Sequence, residues 1–360
     1  MQYQILAGNA YEQLDRVENE SIQTIVTSPP YWGLRDYRTP PAIFPGRTRE
    51  MCDDHDFAES VGVQDNLRFR GESAETGNNK NSDIYTDKKV VSWTCVKCQA
   101  WKGQLGLEVD PRDYIDHLSA ILEKCCEKLK PDGTMWVNIG DTYAANRPKR
   151  CSQTLHGGEI VYDDIRYNGI SMVVPEGMKP KDVIGIPWML AFRLRDSGMY
   201  LRMDIIWSKP NPVPESVKDR PTKAHEYIFL LSKSREYYYD HEAIKEPTKS
   251  VKQKIIAAGG NINDEVTEEM RNRRSVWEIA VQCSKEEHYA MYPEELVELC
   301  VRAGTKEGDT VLDPFSGSGT TGIVSLALGR NYIGIDLNPE HVDRSLRRVG
   351  KQSEEFPLWQ

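Results

Sequence analysis

Residues 310–336 read TVLDPFSGSGTTGIVSLALGRNYIGID. Thr310–Leu312 is a short apolar strand, and Asp313–Gly322 is a loop carrying three glycines in a G-x-G-x-x-G frame. Ile323–Leu328 continues a helix, and Tyr332–Asp336 is a second strand. A helix over Pro293–Ala303, closed by Gly304, precedes this unit, and Pro339–Arg348 reads as a helix after it. Strands alternating with helices at this spacing predict a parallel sheet in an α/β fold.

The loop also predicts chemistry. Glycines let backbone approach a ligand closely, and Asp336 stands 19 residues beyond Gly317, where an acid can take ribose hydroxyls. A tight turn without a ligand is the plain alternative. Asp313, at the start of the loop, would repel a dinucleotide's pyrophosphate and welcome a sulfonium and an amino group. That favours S-adenosylmethionine over a nicotinamide cofactor, and so disfavours a nucleotide-dependent oxidoreductase. Phe315, Gly319 and Thr320 complete the expected cofactor loop.

At the other end of the chain, residues 2–7 and 22–27 read as strands, with a helical turn at Tyr11–Asp15 between them. The second runs into Ser28-Pro29-Pro30-Tyr31-Trp32-Gly33. Two prolines fix this backbone. Such a turn offers a hydroxyl, a carbonyl and an aromatic face at the carboxyl edge of a sheet, where open α/β folds bind ligands.

Taken together, Ser28-Pro29-Pro30-Tyr31 and Asp313-Pro314-Phe315-Ser316-Gly317-Ser318-Gly319-Thr320-Thr321 resemble the two signatures of DNA amino-methyltransferases of the permuted beta order. Supporting matches are His288-Tyr289-Ala290, Trp207-Ser208-Lys209-Pro210-Asn211, His225-Glu226-Tyr227 and Leu129-Lys130-Pro131-Asp132-Gly133. The resemblance covers residues 1–35 and 110–350. It implies a circularly permuted Rossmann-like methyltransferase sheet with an inserted target-recognition segment, to which the spacing of cysteine and histidine adds a small zinc-binding insertion. The activity it implies is methyl transfer from S-adenosylmethionine to an exocyclic base amine of double-stranded DNA. Ser28 Oγ and the Pro29 carbonyl would hold the amine hydrogens, and Tyr31 would stack on a base flipped out of the duplex. Asn9 and His288 join the cofactor contacts, Asn9 standing where relatives often carry Asp. Adenine-N6 members usually carry Asp at the first catalytic position, so Ser28 favours cytosine N4, with adenine N6 as the alternative. A cognate restriction endonuclease and a homodimer are the protein partners such a resemblance brings with it.

Between the two signatures lies Cys52-x-x-His55, followed after 39 residues by Cys95-x-x-Cys98. Paired ligands with two-residue gaps suit tetrahedral zinc, and the absence of a carboxylate suits a closed, structural site. It would staple residues 39–92, a polar stretch with no helix or strand pattern and no core of its own. Unrelated reduced thiols, or a zinc protein that binds nucleic acid without catalysis, are the competing readings. The expected organisation is 1–38, the catalytic half of the core; 39–109, the insertion; 110–240, core continued, with a helix over Tyr114–Leu129; 241–285, a target-recognition segment; and 286–360, the cofactor half. Arg271, Arg273, Arg274 and Lys209 are the DNA contacts expected, joined by Lys179 and Lys181.

Composition limits the rest. Forty-six basic against 55 acidic residues give a net charge of −9, which excludes a purely electrostatic nucleic-acid binder. Eight cysteines in 360 residues are too few for a disulfide scaffold, and no apolar run could cross a membrane. The start lacks a basic region with an apolar core, so no signal peptide is expected and the cytoplasm is the expected compartment.

Overall fold

The computed structural model describes residues 1–33, 39–64, 88–144, 153–154, 160–161, 174–175, 177–248, 251–252, 265–266, 269–281 and 292–355. Strands β1 (Tyr3–Ala7) and β2 (Ile22–Thr27) flank the short helix α1 (Ala10–Gln13). The insertion contributes β3 (Ala42–Phe44), β4 (Phe57–Gln64), β5 (Lys88–Cys95) and β6 (Trp101–Gly103). Then come α2 (Pro111–Lys128), β7 (Leu129–Ile139), the two-residue pair β8 (Gln153–Thr154) and β9 (Ile160–Val161), and α3 (Ile186–Asp196). Next are β10 (Tyr200–Ser208), β11 (His225–Ser232), β12 (Glu246–Thr248), β13 (Val251–Lys252), β14 (Glu265–Val266), β15 (Glu269–Arg271) and β16 (Val276–Glu278). The chain closes with α4 (Glu294–Gly304), β17 (Thr310–Asp313), α5 (Thr320–Ala327), β18 (Asn331–Asp336) and α6 (Pro339–Glu355).

Eight strands form one sheet in the order β1-β18-β17-β2-β7-β11-β10-β16. The first five run parallel, β11 runs antiparallel to both its neighbours, and β16 pairs parallel to β10. The order of strands in space thus differs from their order in sequence. The N-terminal β2 lies beside the C-terminal β17, with Ile25 opposite Leu312. This adjacency brings the two signatures together.

Side-chain alternation explains why the sheet is covered on both faces. Ile25, Met135, Val137, Phe229, Leu231 and Leu312 pack in one core cluster with Leu118, Ile121 and Leu122 of α2 and Leu190 of α3. Their strand neighbours Val26, Trp136, Ile228, Leu230 and Val311 pack in a second cluster with Leu296, Val297 and Cys300 of α4 and Leu326 of α5. Asp110 caps α2, accepting from Arg112 N–H at 2.8 Å, and Pro111 occupies the first turn, so the helix begins before the expected Tyr114. The Lys130–Gly133 turn survives as a break in register: β2 pairs Ile22 with Leu129, then Thr24 with Thr134.

Two stretches are more ordered than the sequence suggests. Within 39–92, β3, β4 and β5 join β6 in an antiparallel sheet of order β3-β6-β5-β4. The three-residue strands β3 and β6 are too short to register as a period. Ala42, Phe44 and Trp101 pack into the main core beside Ile115 and Leu118, so the insertion borrows that core. Within 241–285, β16 is the edge strand of the main sheet, and Trp277 and Ile279 are buried in the second cluster. That end of the segment belongs to the core. No helix among the described residues is long and apolar enough to cross a membrane.

Candidate active site

One edge of the sheet collects the carboxyl ends of β1, β18, β17, β2, β7 and β10. Because β11 runs the other way, its first residues, His225 and Glu226, arrive at the same edge. A cavity of about 280 Å³ opens there. Ser28, Pro29, Pro30, Tyr31 and Asn138 line one end, with Trp207, Lys209 and Glu226. Phe315, Gly317, Ser318, Thr320, Asp336 and Asn338 line the other. Phe44, Gln104 and Leu105 of the insertion supply a wall.

The glycine loop fits a nucleoside-sized ligand. Gly319 adopts φ +82°, and a Cβ there would lie 2.6 Å from Ser345 Oγ, so the turn from β17 into α5 requires glycine. Asp336 accepts from Gly317 N–H and Asn338 N–H, both at 2.8 Å, which fixes its carboxylate at the cavity wall with acceptor capacity to spare for a diol. Asn9 also lines the cavity. Its amide caps α1 through Tyr11 N–H at 3.1 Å and donates to the Ile43 carbonyl at 2.9 Å, tying β1 to the insertion.

Asp313 sits elsewhere than expected. Its side chain is wholly buried, behind the cavity wall, and it accepts from Thr27 Oγ1 and Thr321 Oγ1, both at 2.6 Å. Phe315 N–H at 3.0 Å and Tyr292 Oη at 3.1 Å complete the set. Burial pushes its carboxyl up from the ordinary range, and these donors oppose the shift. The carboxylate therefore joins the end of β2 to the end of β17 rather than facing a sulfonium. His288 lies outside the described residues.

At the catalytic end the Pro30 carbonyl is taken by Tyr114 Oη at 2.7 Å. Ser28 Oγ lies 3.5 Å from Tyr31 Oη, and Tyr31 Oη donates to Glu226 Oε2 at 2.6 Å. Asn138 Nδ2 donates to the same carboxylate oxygen at 3.1 Å. Burial, reinforced by Glu226, raises the Tyr31 phenol well above its usual value, so it stays protonated. Gly140 leaves room for this ring: a Cβ there would meet Tyr31 Cε2 at 2.8 Å.

Of the expected DNA contacts, Lys209 is inside the cavity, paired with Glu226 and 4.3 Å above the Trp207 ring. Arg271 and Arg274 both reach Glu246, at 2.9 and 2.6 Å, and Arg273 donates to the Ile244 carbonyl at 2.9 Å. Lys179 pairs with Asp182 and Lys181 with Asp219. Sequence reasoning missed Tyr292 and Asn138, and noted Glu226 only within a supporting motif. A carboxylate at the first turn of a strand reaching the ligand edge was the available signal.

Cys52, His55, Cys95 and Cys98 converge at the root of the β4–β5 hairpin, their ligand atoms all within 4.8 Å of one another. Cys52 Sγ is 3.7 Å from Cys95 Sγ, 3.4 Å from Cys98 Sγ and 3.3 Å from His55 Nδ1. Four ligands at ordinary zinc–sulfur and zinc–nitrogen distances stand about 3.5–3.8 Å apart at tetrahedral corners. The donor set fits zinc, and these separations are too long for a disulfide.

The family model described as DNA methylase matches residues 22–347. The Type II methyltransferase M.Cfr9I of Citrobacter freundii is 38% identical over 346 residues, covering 96% of this chain and 87% of its own. M.SmaI of Serratia marcescens is 38% identical over 350 residues, covering 96% and 90%. Among solved structures, the PvuII DNA methyltransferase (cytosine-N4-specific) aligns with a TM-score of 0.55 at 18% identity, over 98% of this chain and 91% of that one. A putative DNA modification methylase of Thermus thermophilus, complexed with S-adenosyl-L-methionine, aligns at 0.52 and 19% identity, over 98% and 96%. The chain belongs to the DNA methylase family, the S-adenosylmethionine-dependent DNA amino-methyltransferases of restriction-modification type.

Proposed function

We propose that this enzyme methylates the exocyclic N4 of cytosine in double-stranded DNA. The observation that carries the reading is one cavity lined at one end by Ser28-Pro29-Pro30-Tyr31 and at the other by the Asp336 loop. S-adenosylmethionine supplies an electrophilic methyl group when bound; Asp336, Phe315, Gly317 and Thr320 would hold it. An exocyclic amine is a poor nucleophile because its lone pair is delocalised into the ring. Ser28 Oγ and the Pro29 carbonyl, as two acceptors for its hydrogens, would turn that lone pair out of the ring plane. The rest is positioning on a preorganised loop. Serine as the first catalytic residue favours cytosine over adenine. The PvuII neighbour, named as cytosine-N4-specific, points the same way.

The four-residue Cys/His cluster is proposed as a structural zinc site. Metal there would hold together the sheet whose Phe44 side chain forms part of the cavity wall. A restriction endonuclease with the same recognition sequence is the proposed biological counterpart, as the Type II relatives suggest.

The direct test is transfer of a radiolabelled methyl group from S-adenosylmethionine to duplex DNA. Wild type labels the DNA. Ser28→Ala loses labelling while binding S-adenosylmethionine within about threefold of wild type. Undiminished labelling by Ser28→Ala would contradict the assignment.

A further inference from the structure

Methyl transfer to an amine leaves a proton to be disposed of, and the cavity contains a path for it. The path begins at Ser28 Oγ, passes Tyr31 Oη at 3.5 Å and ends at Glu226 Oε2, 2.6 Å further on. Glu226 and Asp336 are the two carboxylates lining the cavity among the described residues. Asp336 is committed to the glycine loop and lies at the opposite end. Asp313 is buried behind the wall with four donors on it. Glu226 is thus the carboxylate available to the catalytic end.

We propose that Ser28, Tyr31 and Glu226 form a proton relay, with Glu226 as the terminal acceptor of the proton released from the methylated amine. The proposal rests on the methyltransferase reading above. The nitrogen lone pair forms the N–CH3 bond as the S–CH3 bond breaks, its electron pair remaining on sulfur. The nitrogen, now positively charged, gives one proton to Ser28 Oγ. The Ser28 hydroxyl proton moves to Tyr31 Oη, and the Tyr31 proton moves to Glu226 Oε2. Neutral Glu226 then returns the proton to water, which reaches its 16% exposed side chain.

The surroundings suit that end point. Lys209 pairs with Glu226 Oε1, away from the oxygen that Tyr31 addresses, and Lys223 adds a second positive charge nearby. Asn138 Nδ2 holds Oε2 at 3.1 Å, so the acceptor oxygen is fixed. Asn138 Oδ1 is the other acceptor near Tyr31 Oη, at 3.2 Å, and the longer distance leaves the phenol proton directed at Glu226. Among the described residues, Tyr31, Asn138 and Lys209 bond the carboxylate and Lys223 stands near it. The phenol's raised pKa means that it relays only by accepting one proton while giving up another. Apo hydrogen bonds at catalytic sites are often long, so the 3.5 Å step is compatible with a chain that tightens around the flipped base.

The test is single-turnover methyl transfer in H2O and in D2O, with S-adenosylmethionine binding and flipping of a 2-aminopurine reporter measured on the same proteins. The wild type transfers the methyl group with a solvent deuterium isotope effect. Glu226→Gln lowers the rate about 10²-fold and loses the isotope effect, while both binding readouts stay within about threefold. Tyr31→Phe keeps the Glu226 carboxylate, removes the hydroxyl that links it to Ser28, and gives the same loss of the isotope effect. The double variant is no slower than the slower single, as expected of groups acting in one chain. A Glu226→Gln enzyme that keeps the wild-type isotope effect, or additive losses in the double variant, overturns the relay. A wild-type enzyme that methylates no DNA overturns the methyltransferase reading instead, and the two failures are therefore distinguishable.

Discussion

Replacing Asp313 by Ala removes the acceptor shared by Thr27, Thr321, Tyr292 and the Phe315 N–H. Each hydrogen bond to a buried charge contributes about 1.5–3 kcal/mol, so four would total about 6–12 kcal/mol. Desolvating the carboxylate costs several kcal/mol and is recovered when it is removed. The hydroxyls and the N–H are left without their acceptor in a site with 0% exposure at Asp313. The net expected loss is about 3–5 kcal/mol, or roughly 6–10 °C in melting temperature at about 2 °C per kcal/mol for a chain of this size. Asp313→Asn keeps an oxygen acceptor and loses about 1–2 kcal/mol. Urea denaturation followed by tryptophan fluorescence measures stability, and calorimetry measures S-adenosylmethionine affinity. If Asp313→Ala is as stable as wild type yet binds S-adenosylmethionine far more weakly, the carboxylate faces the ligand and the buttress reading is wrong.

Other outcomes follow from the same geometry. Metal analysis should find about one zinc per chain. Cys95→Ser should lose it and lower the melting temperature, whereas a metal-free protein of unchanged stability removes the zinc proposal. Asp336→Ala should weaken S-adenosylmethionine binding about 10- to 100-fold and leave DNA affinity within threefold; equal losses of both would indicate misfolding. Arg273→Ala should weaken DNA binding alike for all sequences and reduce the slope of log affinity against log salt by about one, and an unchanged slope takes this residue off the phosphate contacts.

The cofactor half was legible because its backbone makes demands that few residues meet. Gly319 adopts positive φ against Ser345, and Asp336 ends the next strand. The catalytic loop was legible because Pro29 and Pro30 leave it little freedom. Which way a side chain points was not legible. Asp313 stands at the mouth of the loop in sequence, yet its carboxylate turns inward because three hydroxyls and an amide N–H wait there. Tyr31 and Glu226 are 195 positions apart, so no local pattern links them. The arginines near 271–274 look like a basic cluster, but Glu246, contributed by β12, meets two of them. The insertion's short strands acquire their apolar role only through contact with the main core.

The most direct test is mass spectrometry of nucleosides from DNA methylated by the enzyme with S-adenosylmethionine. N4-methylcytosine is the expected product, tying Ser28 and the shared cavity to amino transfer on cytosine. N6-methyladenine would keep the chemistry and reverse the base assignment, and 5-methylcytosine would contradict direct transfer to an exocyclic amine.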